Sequence, residues 1–155
     1  MTEVWTDRWG AAEAQWVNAG AILIDLPAVA VDAMQNGWDS PSLRLLAGMS
    51  TRDDARDLRD TFLAAVRELG RALPAANDAA LRLVRFYAGK IIDGSVSPVA
   101  GARAVSSLGY TFTGEAQDQV MVFVGLEDEA RGGWGRTSDQ VDAAIVDAAR
   151  AVVSS

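Results

Sequence analysis

Residues 53–57 read DDARD. The carboxylates of Asp53, Asp54 and Asp57 stand at i, i+1 and i+4. On a helix that spacing can hold magnesium ions and, through them, a diphosphate. Glu115 and Asp118 form a Glu-x-x-Asp pair. Such a pair is half of a two-helix metal site, whose other half would come from Asp54, Asp57 or Asp60.

The chemistry that the chain lacks is as informative. It has no histidine and no cysteine. That removes the commonest general base near neutral pH, the commonest metal ligand and every thiolate nucleophile. A Ser-His-Asp triad cannot be assembled. The glycine-rich ARGGWGR (130–136) has no strand before it and no Lys-Ser/Thr after it, so it reads as a turn between helices and not as a phosphate loop.

DDARD matches the D-D-x-x-D pattern of prenyl-diphosphate-handling enzymes, but acidic residues are favoured in any first helical turn by the helix dipole. Arg52, Arg56 and Arg59 also compete for the same carboxylates. The metal reading of Asp53, Asp54 and Asp57, as a divalent-metal-dependent helical phosphohydrolase or a small-ligand-binding protein, is therefore the alternative and not the leading expectation. No cofactor is expected.

The five tryptophans offer something different. Trp5, Trp9 and Trp16 share one helical face, Trp38 sits at a corner and Trp134 lies in a glycine turn. Their first duty is to anchor helices. Tryptophan is also enriched at interface hot spots, so Trp5, Trp9, Trp38 and Trp134 are the candidate partner-binding residues.

Composition supports that direction. Half of the 155 residues are hydrophobic and 23% are charged, which suits a globular chain and not a disordered one. The length fits one helical domain spanning 1–155. The net charge of −7 repels phosphate backbones, so no nucleic-acid partner is expected. All basic residues except Lys90 are arginine. No apolar run is long enough to cross a membrane, since AGAILIDLPAVAV is broken by Asp25 and Pro27. The N-terminal MTEVWTDRWG is not a secretory signal. A cytoplasmic location and no membrane partner follow as expectations; homo-oligomerisation stays open.

The elements that must position these residues are helices. Apolar residues recur every three or four positions, with capping residues between them. The pattern predicts a helix over 3–20. Another runs from an Asp25 cap to Gly37, and a short one from Ser40-Pro41 to Gly48. A long helix capped by Thr51, with Asp54 at its third position, ends at Gly70. A central helix spans 78–92 behind an Asn77 cap, and a short one runs from Ser97-Pro98 to Gly109. Thr113 caps a helix over 114–131, and Thr137 or Ser138 caps the last. The run QVMVFVG (119–125) has strand-like composition. No second strand signal exists to pair with it, so it reads as helix. The fold class is all-α, with six to eight helices.

Gly37-Trp-Asp-Ser-Pro41 and Gly94-Ser-Val-Ser-Pro98 share G-x-x-S-P. Each follows a helix and opens a short one, which suggests two helix–short helix–helix units, 26–70 and 78–131. Good punctuation used twice would give the same pattern without a duplication. The stretch GWDSPSLRLLAG, followed by a capped helix ending ELG, resembles one found in small bacterial all-helical proteins of toxin–immunity loci. The resemblance spans 16–110 and carries no catalytic residue. It implies an interaction protein. The leading expectation is thus a non-enzymatic protein-interaction module, an immunity-type neutraliser of a partner protein, with an acidic surface suited to a basic partner.

Overall fold

The computed structural model describes residues 5–18, 24–108, 113–133 and 135–155. These residues are all-helical, with eight α-helices and no strand among them. They are α1 (Trp5–Asn18), α2 (Leu26–Gln35), α3 (Pro41–Ala47), α4 (Ala55–Glu68), α5 (Ala76–Ile92), α6 (Pro98–Ser106), α7 (Gly114–Gly132) and α8 (Ser138–Ser154). None is long and apolar enough to cross a membrane. The chain divides into two compact units, residues 2–75 and 76–155.

In the first unit α2 packs on α1 and α3, and α3 packs on α4. Its core joins Trp9, Val29, Leu43, Leu46, Phe62 and Val66. Asp25 caps α2 by accepting from the Ala28 amide at 3.0 Å. Ser40 caps α3 through the Leu43 amide at 3.0 Å, with Pro41 in the first turn where its missing N–H costs nothing. Gly37 has φ 98°, a left-handed conformation that closes α2 and suits glycine. The Glu68 carboxylate, at the end of α4, accepts from the Ser42 amide at 2.8 Å and from its hydroxyl. It thereby neutralises the exposed start of α3 and ties the two helices together.

Two helix starts differ from the sequence expectation. α4 is capped by Asp54 and not by Thr51, because Asp54 is the residue that leaves the helical conformation (ψ 131°) immediately before Ala55 and its carboxylate accepts from the Arg56 amide. Residues 50–53 are spent on a turn, in which the Ser50 amide donates to the Asp53 carboxylate at 2.8 Å. α5 starts at Ala76, so Asn77 lies inside it. The Asn77 side chain instead accepts from the Thr113 amide at 3.0 Å and fastens the start of α7.

In the second unit α5 is central and packs on α6, α7 and α8. Its buried face is Ala80, Leu83, Val84, Tyr87, Ala88 and Ile91. α6 approaches through Gly101, where a Cβ would stand 2.3 Å from Ile91 Cγ1. Ser97 caps α6 via the Ala100 amide at 3.2 Å. Thr137 and Gln140 form a reciprocal capping box at α8. The stretch 119–125 is helical throughout. Both G-x-x-S-P stretches therefore perform the same task, each closing one helix and starting a short one.

Candidate functional site

Three of the four candidate partner-binding tryptophans converge in the first unit. Trp5 and Trp38 meet edge to face with ring centroids 4.7 Å apart. Trp38 meets Trp9 at 5.4 Å, and Trp9 meets Phe62 at 4.9 Å. Such contacts add about 0.5–1.5 kcal/mol each beyond area burial. Trp9 is fully buried, so it has no surface to offer a partner, while Trp5 and Trp38 are half-buried. Trp134 lies outside the described residues.

Beside the rings sits Glu13, buried to 1% exposure. Its Oε2 accepts from Trp9 Nε1 at 3.2 Å and from Arg71 Nε at 2.8 Å; its Oε1 accepts from Arg71 Nη2 at 3.0 Å. The Arg71 guanidinium also lies 4.9 Å over the Trp38 ring. One arginine therefore neutralises a buried acid and stacks on an aromatic face, a dual contact for which lysine's point charge is poorly suited. This is a structural knot: every polar group of Glu13 faces a donor.

The acidic candidates are held apart from one another. Asp53 is bonded to the Ser50 amide and Asp54 to the Arg56 amide, while Asp57 stands exposed in the first turn of α4. Among the described residues no three acidic side chains form a group that could hold a metal ion. Glu115 is likewise engaged, accepting from Gln119 Nε2 at 3.3 Å.

The second unit carries two features that the sequence pattern did not single out. One is the α7–α8 face. Val120 and Phe123 of α7 are buried, yet Met121 and Val122 beside them are 47% and 52% exposed. Val153 of α8 is 53% exposed. Between the helices runs a groove of about 190 Å³ lined by Gln119, Val122, Phe123, Ala148, Ala151 and Val152. Gln119 Oε1 is buried there and accepts no hydrogen bond from the described residues. The signal for this face was present in QVMVFVG, because a run that is apolar on successive positions cannot turn all of them to one side of a helix.

The other feature is an arginine cluster on Glu127, whose side chain is 3% exposed. Arg131 Nη2 donates to both Glu127 oxygens at 2.6 Å, and Arg103 Nε lies 3.5 Å from Oε1. The Arg131 bonds hold the Glu127 carboxyl below the ordinary carboxylate range, outweighing the effect of burial, with Arg103 adding to them. Arg136 holds Glu129 low in the same way, through contacts at 2.9 and 2.8 Å.

The chain matches no known protein family, no curated protein and no solved structure.

Proposed function

We propose that this protein is a non-enzymatic interaction module that docks a partner protein on the outer face of α7 and the adjoining groove with α8. The observation that carries the reading is the exposure of Met121 and Val122 in mid-helix, flanked by buried Val120 and Phe123. Two large apolar side chains adjacent on one exposed face of a helix mark a candidate contact surface.

The occupant best suited is a segment with an apolar face and basic side chains. Exposed Asp118 and Glu115, one and two turns before Met121 and Val122, supply the acidic rim. The net charge of −7 would draw a basic partner over a Debye length of about 8–10 Å at moderate salt. Masking a basic partner in this manner is how an immunity-type protein would neutralise it.

The test uses wild-type protein and a Val122→Glu variant as baits in extract from the source cell, at low and high salt. The expected result is a basic protein retained by the wild type, weakened by salt and lost with the variant. Identical captures by both baits, or none by either, would sink the proposal.

A further inference from the structure

A second hollow in residues 76–155 shares no lining residue with the α7–α8 groove. It is a cleft of about 310 Å³ between the end of α7, the start of α8 and α6. Three guanidiniums line it, those of Arg103, Arg131 and Arg136, and Val99 and Val141 give it an apolar wall. The volume is at the lower end of the range for small-molecule sites, roughly 300–1,000 Å³.

Each guanidinium meets a carboxylate. Buried Glu127 holds Arg131 and touches Arg103 at 3.5 Å, and Glu129 holds Arg136 through two nitrogens. All three stay in reach of solvent: the side chains are 66%, 68% and 47% exposed for Arg103, Arg131 and Arg136. A guanidinium has five N–H groups. The Glu127 contacts use a single nitrogen of Arg131 and a single nitrogen of Arg103, so donors remain on both. The ion pairs of Arg131 and Arg136 also remove part of the ordering cost that a ligand would otherwise meet.

Donor chemistry decides the ligand class. Among the lining residues, three guanidiniums against the carboxylates of Glu129 and Asp142 leave one net positive charge, in a chain of −7. Glu127 beneath and Asp128, which also acts on Arg131, bring the cluster to one net negative charge. Attraction therefore comes from donor geometry at contact range and not from a long-range field. Planar, fixed guanidiniums match the paired oxygens of a phosphate or a carboxylate.

We propose that this cleft binds a small organic oxyanion, its phosphate or carboxylate group on the Arg103, Arg131 and Arg136 guanidiniums and its apolar part against Val99 and Val141. The proposal is independent of partner docking at α7–α8.

The experiment titrates the full chain with phenyl phosphate and, separately, with benzoate, followed by calorimetry and by NMR of the arginine Nε–H signals. The expected result is saturable one-to-one binding of at least one probe, with a Kd of about 1 mM or tighter. Signals of Arg103, Arg131 and Arg136 should move. Arg103→Ala and Arg136→Ala should each weaken binding at least about tenfold, and Arg52→Ala should leave it unchanged. Which probe binds more tightly assigns the anion as phosphate or carboxylate. Arg136→Ala could unfold the α7–α8 turn, so far-UV circular dichroism accompanies it. Arg103→Ala, with its single 3.5 Å contact to Glu127, keeps the test open in that case. A Kd weaker than about 1 mM for both probes, or a loss of less than about tenfold in Arg103→Ala, would overturn the inference.

Discussion

Residues 2–75 join buried Trp9 and Phe62 to two further tryptophans, whereas residues 76–155 bury Phe123 and Tyr87 among leucine, isoleucine, valine and alanine. In the first unit Trp9, Phe62 and the half-buried Trp5 and Trp38 fill the space between helices with a few large pieces. In the second, Ala80, Ala88, Ala102, Val105 and Ala149 are buried and Gly101 lets α6 sit against Ile91. Each unit also buries one glutamate. Glu13 is enclosed between Trp9 and Arg71, while Glu127 holds two arginines that stay largely exposed. The rings enclose the Glu13 carboxylate in the first unit; in the second, Glu127 lies under two side chains that reach solvent.

The contrast predicts where substitutions hurt most. Trp9→Ala should remove the centre of the ring cluster and cost about 3–5 kcal/mol. Amide hydrogen exchange should locate the lost protection mainly in 5–75. Equal loss in 76–155 would show that the two cores are not separate in energy. Arg71→Ala comes next. It leaves the Glu13 carboxylate buried without its partner and uncovers Trp38. Breaking a buried pair costs about 3–5 kcal/mol; because Arg71 is itself 37% exposed, water can replace part of the loss, and about 2–3 kcal/mol is expected. Urea denaturation measures it. Glu13→Gln with Arg71→Met should recover part of that loss if the knot contributes chiefly by avoiding an unpaired charge.

In the second unit the sensitive position is a small one. Gly101→Ala places a Cβ at 2.3 Å from Ile91 Cγ1 and 2.6 Å from its Cδ1, so the buried Ile91 side chain must change rotamer or helix α6 must shift. About 1–3 kcal/mol of destabilisation is expected. Ile91→Val beside it should relieve some of the clash, which a denaturation double-mutant cycle would read. A null effect of Gly101→Ala would mean that small-residue packing does not govern this unit.

Acid sharpens the same comparison. Folded-state carboxyls held low contribute stability above their ordinary values, 4.5 for glutamate and 3.8 for aspartate, which is lost as pH falls through the lower folded values. Hydrogen bonds from Ser42 hold Glu68 low in the first unit. In the second, Ser95 holds Asp93 low, Arg131 holds Glu127 low and Arg136 holds Glu129 low. Stability should therefore fall as pH drops below about 5, more steeply in 76–155, where Asp93, Glu127 and Glu129 are held low, than in 2–75, where Glu68 is. Exchange-resolved acid titration checks the order, and a steeper fall in 2–75 would contradict it.

Much of the helical frame was legible because its signals are local. Asp25, Ser40, Ser97 and Thr137 each accept from an amide two or three residues into the helix they start. Such bonds follow from the type of one residue and its offset. The start of α4 was misplaced because Thr51 and Asp54 are both good caps, and the turn of Ser50 and Asp53 decides between them. The polar knots were not legible. Glu13 meets Arg71 across 58 residues and Glu127 meets Arg103 across 24, and nothing in either neighbourhood marks those pairings. Trp38 read as a corner residue, yet its partners Trp5, Trp9 and Arg71 come from both ends of the unit. The α7–α8 face was half legible: QVMVFVG shows excess apolar surface, but which residues remain uncovered depends on where α5, α6 and α8 lie.

The smallest expected effect tests that face directly. Val122→Ser removes apolar surface from a position already 52% exposed, so folding should lose little burial. Serine is slightly less apt in helices than good formers, but valine is no better, so propensity nearly cancels. The net change in stability should lie within about 0.5 kcal/mol. Phe123→Ser, one residue on and fully buried, should by contrast lose the contacts of a core ring and leave a hydroxyl without a partner. Equal costs at the two positions would mean that Val122 is packed in solution by something that the folded chain supplies for itself. A neutral Val122→Ser that also abolishes capture of the partner would separate the two duties of α7, one side holding the unit together and the other left for binding.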